Sequence, residues 1–128
     1  MAVQPHPAGV ATTNVFGEHL YKVRVTFGSN AIASYLSKDV TIARANTGQY
    51  TVTFPKYHTA LTDFSFGMKD ATGATLNFVV SADNLASAGT LTVEAHVAAG
   101  TATDPASGDV AYLTFGVSDD NLNAKYGG

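Results

Sequence analysis

The feature that most constrains this chain is an alternation of apolar and polar residues with a period of two, repeated along nearly its whole length. From Tyr21 to Phe27 the residues Tyr21, Val23, Val25 and Phe27 alternate with Lys22, Arg24 and Thr26. Successive side chains of a strand point to opposite faces, so this pattern gives one buried face and one exposed face. The same rhythm runs through Val40 and Ile42, through Tyr50, Val52 and Phe54, and through Phe64, Phe66 and Met68. It returns in Leu76, Phe78 and Val80, in Leu91, Val93, Ala95 and Val97, and in Leu113, Phe115 and Val117. A fainter candidate over Val10 to Phe16 brings the expected number of strands to about eight. No segment carries a sustained helical stripe. Ala31 to Ser37 is the least strand-like stretch and suits one helical turn through Ile32, Tyr35 and Leu36; Ala82 to Ala88 is a second such turn, with Asp83 or Ser81 as its cap.

Turn residues separate these runs: Gly28-Ser29-Asn30, Asn46-Thr47-Gly48, Asp70 to Gly73, Ala88-Gly89, and a polar stretch from Gly100 to Gly108. Short strands at this spacing predict an all-β fold, a two-sheet antiparallel sandwich of about eight strands. A jelly roll is favoured on strand count over an immunoglobulin-like sandwich, whose cysteine pair and buried Trp are missing from a chain with no Cys and no Trp. The expected organisation is an N-terminal arm over 1–8 with Pro5 and Pro7, a sandwich domain over 9–117, and a C-terminal arm over 118–128 with Leu122 and Tyr126 as anchoring side chains.

Charge narrows the possible functions. The 128 residues include 7 basic and 10 acidic side chains, a formal charge of -3, which gives no electrostatic reason to bind nucleic acid or an anionic membrane. Charged residues are only 13% of the chain, about half the usual share, so the surface is expected to be rich in Thr, Ser, Asn and Ala or to be covered by a partner. No basic, apolar leader opens the sequence and no stretch approaches a membrane span, which points to synthesis in the cytoplasm.

The residues that carry chemistry do not gather into a recognisable catalytic set. His6, His19, His58 and His96 occupy no spacing that puts two on one metal ion. Glu94 and His96 share a strand face, expected to be the outer one. Asp70, Asp104 and Asp109 fall in turns, where a carboxylate bonds its own backbone, and Asp119-Asp120 reads as a solvated tail. Without a nucleophile elbow, a phosphate-binding loop or a histidine cluster, the expectation is a protein that is not an enzyme and takes no cofactor or metal. Tyr57, Tyr112 and Tyr126 are the aromatics expected to be exposed. Lys22 and Arg24, side by side on the outer face of one strand, are candidate docking residues for an acidic partner.

Three stretches carry a resemblance: Thr47-Gly48-Gln49-Tyr50-Thr51-Val52-Thr53-Phe54-Pro55, Ala71-Thr72-Gly73-Ala74-Thr75, and the run from Asp104-Pro105 to Thr114-Phe115. In texture they resemble the small β-rich decoration, or cement, proteins of tailed bacteriophages. The resemblance implies a virion structural protein, made in the host cytoplasm, that binds the outer surface of the head as a dimer or trimer and ties major capsid protein subunits together through extended arms. Carried onto this chain, the contacts would involve Pro5, Pro7, Leu122 and Tyr126. A receptor- or glycan-binding module of a tail fibre or bacterial surface protein is the alternative, with a pocket drawing on Tyr57, His58 and Asp104.

Overall fold

A computed structural model describes residues 18–70, 76–97 and 100–119. Pro5, Pro7, Leu122, Tyr126 and the strand candidate over 10–16 lie outside them. The described residues form eight strands: β1 (Glu18–Gly28), β2 (Ala31–Leu36), β3 (Thr41–Asn46), β4 (Gln49–Thr53), β5 (Ala60–Lys69), β6 (Asn77–Asn84), β7 (Thr90–His96) and β8 (Val110–Ser118). One helical turn, α1 (Leu85–Ala88), joins β6 to β7. Sheet A has the order β2-β1-β8-β5 and sheet B the order β3-β4-β7-β6, and every pairing is antiparallel. This is a two-sheet β-sandwich.

Strand count matches the expectation, but one member differs. Ala31–Leu36 is a strand, not a helical turn: it pairs with the second half of β1, with Arg24 opposite Leu36 and Val25 opposite Tyr35. Its apolar spacing is ambiguous over six residues, and the ladder of β1 decides, because an unpaired β1 edge offers more backbone hydrogen bonds than one isolated helical turn can make. The turn expected near Ala82 to Ala88 does form as α1, with the Leu85 amide donating to Asp83 Oδ1 at 3.1 Å.

The preference for a jelly roll rested on strand count, and the two-residue turns fix only which consecutive strands are neighbours. Ser29-Asn30, with Asn30 at φ 52°, and Thr47-Gly48, with Gly48 at φ 65°, are two-residue turns that return the chain to the adjacent strand of the same sheet. Successive strands therefore switch sheets less often than in a jelly roll. The switches occur between β2 and β3, β4 and β5, β5 and β6, and β7 and β8.

The inner faces are those the alternation predicts. Val23, Val25, Phe27, Leu113, Phe115 and Val117 of sheet A meet Ile42, Tyr50, Val52, Phe78, Leu91, Val93 and Ala95 of sheet B. Phe27 packs edge-on against Tyr50 at 5.5 Å, and Phe54 against Phe115 at 5.6 Å, so aromatic pairs bridge the sheets. Among the described residues no helix is long and apolar enough to cross a membrane.

Candidate functional site

Two carboxylates organise the polar chemistry, one at each end of β4. At the Thr53 end the loop Phe54 to Thr59 leaves sheet B, and His58 turns into the interior with its side chain fully buried. A buried imidazole needs partners for both nitrogens. Nδ1 faces Asp119 Oδ1 at 2.5 Å, and because an ionised carboxylate only accepts, Nδ1 donates. Nε2 bonds the Tyr21 hydroxyl at 3.0 Å. The other oxygen of Asp119 accepts from Lys56 Nζ and from His19 Nε2, both at 2.9 Å. The backbone closes the arrangement: the Thr59 amide donates to the Ser118 carbonyl at 2.7 Å and the Thr59 hydroxyl to the Asp119 carbonyl at 2.9 Å.

Asp119 is thus no solvated tail residue. Directly after β8 it receives donors from β1 and the β4–β5 loop, because the antiparallel ladder brings the start of β1 beside the end of β8, with His19 opposite Val117. The hydrogen bond from Lys56, with those from His58 and His19, holds its carboxyl at about 2, against the desolvation that opposes ionisation.

Hydroxyl, imidazole and carboxylate in a row form a proton path, the geometry used to activate a nucleophile. The hydroxyl here is poorly suited to that task. Burial raises the Tyr21 phenol above its ordinary 10, so it stays protonated at neutral pH, and its ring packs edge-on against Phe54 at 5.1 Å. Beside the cluster an open groove of about 450 Å³ is lined by Lys56, Tyr57, His58, Thr59, Ala86 and Asp119, and Tyr21 is not among its walls. The Tyr57 ring lies against Gly89, where a Cβ would come within 3.1 Å of it, and is 64% exposed.

At the other end of β4 stands Asp104. Its Oδ1 accepts from the Gly48 amide at 2.9 Å, the Tyr50 hydroxyl at 2.8 Å and Arg44 Nε at 3.1 Å, and its Oδ2 from Arg44 Nη2 at 2.8 Å. This two-pronged Arg44 contact is the first cause of a carboxyl pKa of about 2. Asp104 is therefore not the local turn residue the sequence led one to expect; it latches the loop before β8 onto the β3–β4 hairpin. It also stands a strand's length, roughly 17 Å, from His58, so the two do not share one pocket. Asp109 does behave locally, its Oδ2 accepting from the Ala106 amide at 3.0 Å.

The remaining expected residues fall on the sheet faces. Glu94 and His96 lie on the outer side of sheet B and bond each other at 2.7 Å, and that bond is the first cause of a lowered Glu94 pKa. Lys22 and Arg24 are exposed on the outer side of sheet A, and Tyr112 is exposed there as well. Among the described residues no three His, Asp or Glu side chains are placed to hold a metal ion. Sequence reasoning missed Asp119 and Tyr21. The available signal for Tyr21 was its inward position on a strand, since a buried Tyr hydroxyl usually requires a partner. No family model, curated relative or solved structure matches this chain.

Proposed function

We propose that this chain is a structural protein of a larger assembly: a decoration protein that binds the outer surface of a bacteriophage head, contacts the major capsid protein and its own copies, and is not an enzyme. The observation that carries this reading is the division of labour among polar residues. Arg44, Asp104, Lys56, Asp119, His19 and His58 bond one another and fasten loops to the sandwich, and Glu94 and His96 bond each other on β7. The outer side of sheet B beyond the Glu94 and His96 pair is mostly Thr and Ala: Thr41, Thr53 and Thr90 stand in one row across the strands, and Ala43, Thr51, Thr92 and Ala82 in the next. A rigid, weakly charged sheet face packs against another protein with little desolvation penalty. Individually weak contacts suffice on a shell that presents many identical sites. The test is co-sedimentation of the purified chain with phage heads stripped of their decoration; saturable binding that raises the heads' thermal stability is expected, and absence of binding overturns the reading.

One observation favours a second reading. The groove beside Tyr57 combines an exposed aromatic ring with Lys56, Thr59 and Asp119, the kind of surface that holds a sugar ring, although Asp104 takes no part in it. A glycan array probed with the purified chain tests this, and binding that survives Tyr57→Ala counts against the groove.

A further inference from the structure

The outer faces of the two sheets differ in charge, and the difference points to where a partner docks. On sheet A the register places Lys22, Thr114 and Ser65 in one row, Arg24, Tyr112 and Gly67 in the next, and Thr26, Val110 and Lys69 in the third. Lys22, Arg24 and Lys69 are all exposed, and among the described residues none of them enters a salt bridge, unlike Arg44 and Lys56. From strand geometry Lys22 and Arg24 lie about 7 Å apart along β1, within one Debye length at physiological salt, and Lys69 about 12 Å from Arg24, about one and a half Debye lengths. Lys22 and Arg24 therefore act on an approaching partner together, with Lys69 a more screened charge at the rim. Among the described residues the outer side of sheet B presents no such unpaired group, since its Glu94 is bonded to His96 and Gln49.

At the centre of the cationic rows sits an aromatic anchor. Tyr112 is 43% exposed, with the Arg24 guanidinium carbon 6.0 Å from its ring centroid on one side and bare Gly67 on the other, where a Cβ would lie 4.0 Å from the ring. Exposed Leu20 and Leu36 frame the patch. Tyr and Arg held in place on a rigid sheet are the residue types that dominate binding energy at protein interfaces.

We propose that this face of sheet A docks a compact acidic protein surface, with Arg24 and Tyr112 as the central contacts and Lys22 and Lys69 as the flanking charges. The inference rests on the assembly reading above and names the chemistry of the partner's surface. Charge complementarity selects the occupant. The chain as a whole carries -3, so a second copy offers no net attraction. An extended polyanion is disfavoured because Glu18 and Asp63 stand at the far end of the same face, in or beside the Leu20 and Gly116 row, and three cations are too few for nucleic acid.

The test uses the full chain and its variants Arg24→Glu, Lys22→Glu/Lys69→Glu and Tyr112→Ala, each checked for an unchanged circular dichroism spectrum, with Ser87→Glu, exposed on α1 and off both sheet faces, as the control. Against stripped phage heads, Arg24→Glu and Tyr112→Ala are expected to weaken binding about tenfold or more. Raising salt from 50 to 300 mM should weaken the wild type and leave Arg24→Glu nearly flat. Equal binding by Arg24→Glu and wild type, or a larger loss from Ser87→Glu, overturns the proposal. Nuclear magnetic resonance titration with a decaglutamate peptide, a poly-dT oligonucleotide and phosphatidylserine vesicles provides an independent arm. Shifts at Lys22, Arg24, Lys69 and Tyr112 with the peptide support it; tighter binding to the oligonucleotide or vesicles overturns it, as does a wild-type dimer that Arg24→Glu dissolves. If the wild type ignores heads but the peptide shifts this face, the decoration reading fails and the acidic-surface inference stands.

Discussion

Asp119 shows how much one side chain does at the edge of a sandwich. It is the acceptor for a buried histidine, an exposed histidine and a lysine, and its own carbonyl is held by Thr59. Replacing it with Asn removes the charge and one of two acceptor oxygens, so His58 on one side and Lys56 and His19 on the other cannot all be accepted, and a loss of about 2 kcal/mol of stability is expected, measured by chemical denaturation. The pH dependence has a definite sign. A carboxyl held at about 2 in the folded state and 3.8 unfolded contributes fully above pH 4, and that contribution disappears as pH falls toward 2. Asp119→Asn should therefore lose less stability than the wild type between pH 4 and pH 2, and parallel curves for the two proteins sink the assignment. Gly48 is a second residue on which the architecture turns. It has φ 65°, and an added Cβ would lie 2.4 Å from the Thr103 nitrogen and 2.9 Å from the Ala102 carbonyl carbon, where backbone cannot give way cheaply. Gly48→Ala is expected to cost more than about 3 kcal/mol, through left-handed strain plus displacement of the latch loop; a loss under 1 kcal/mol in urea unfolding contradicts the packing described.

The strands differ in how firmly they are held. β1 and β8 lie inside sheet A, β4 and β7 inside sheet B, each paired on both sides, whereas β2, β5, β3 and β6 are edges, paired on one side only among the described residues. β2 contributes no fully buried side chain, and its five positions other than Ile32 are exposed. Hydrogen exchange should be slowest in β8 and β7 and faster by orders of magnitude in β2, since edge amides exchange through local opening. Equal protection of β2 and β8 in solution indicates that the β2 edge is covered, as edges often are in assemblies. The groove of about 650 Å³ between β2 and β3, lined by Ile32, Tyr35, Ile42 and Arg44 among others, marks where the two sheets part company at that edge.

The sandwich as a whole is joined through aromatic rings. Phe115 of sheet A is completely buried, lies 5.6 Å from Phe54 at the end of sheet B's β4, and stacks on Phe64 at 5.3 Å. Phe115→Ala removes the ring that both sheets share, and a loss of about 3–5 kcal/mol is expected. Because one core serves both sheets, thermal unfolding followed by circular dichroism and by tyrosine fluorescence should give coincident curves, in the wild type and the variant alike. Separate transitions mean that the sheets melt independently. At this scale the two outer faces also differ: a threonine-rich face on sheet B, whose Glu94 and His96 bond each other, and a cationic face centred on Tyr112 on sheet A. That difference defines an orientation for the molecule within an assembly.

The alternation of side chains by itself determined the fold class, the inner face of nearly every strand and the outward placement of Lys22, Arg24, Glu94 and His96, because a period of two depends only on local backbone geometry. It did not identify β2, whose six residues fit a helical turn as well as a strand until β1 offers its edge. Tertiary structure alone decided the strand order, the burial of His58 and the roles of Asp119 and Asp104. Each of those carboxylates meets donors dozens of residues away along the chain, and such long-range bonds leave no periodic trace in sequence. The same holds for the cationic face: Lys69 joins Lys22 and Arg24 only because β8 lies between β1 and β5.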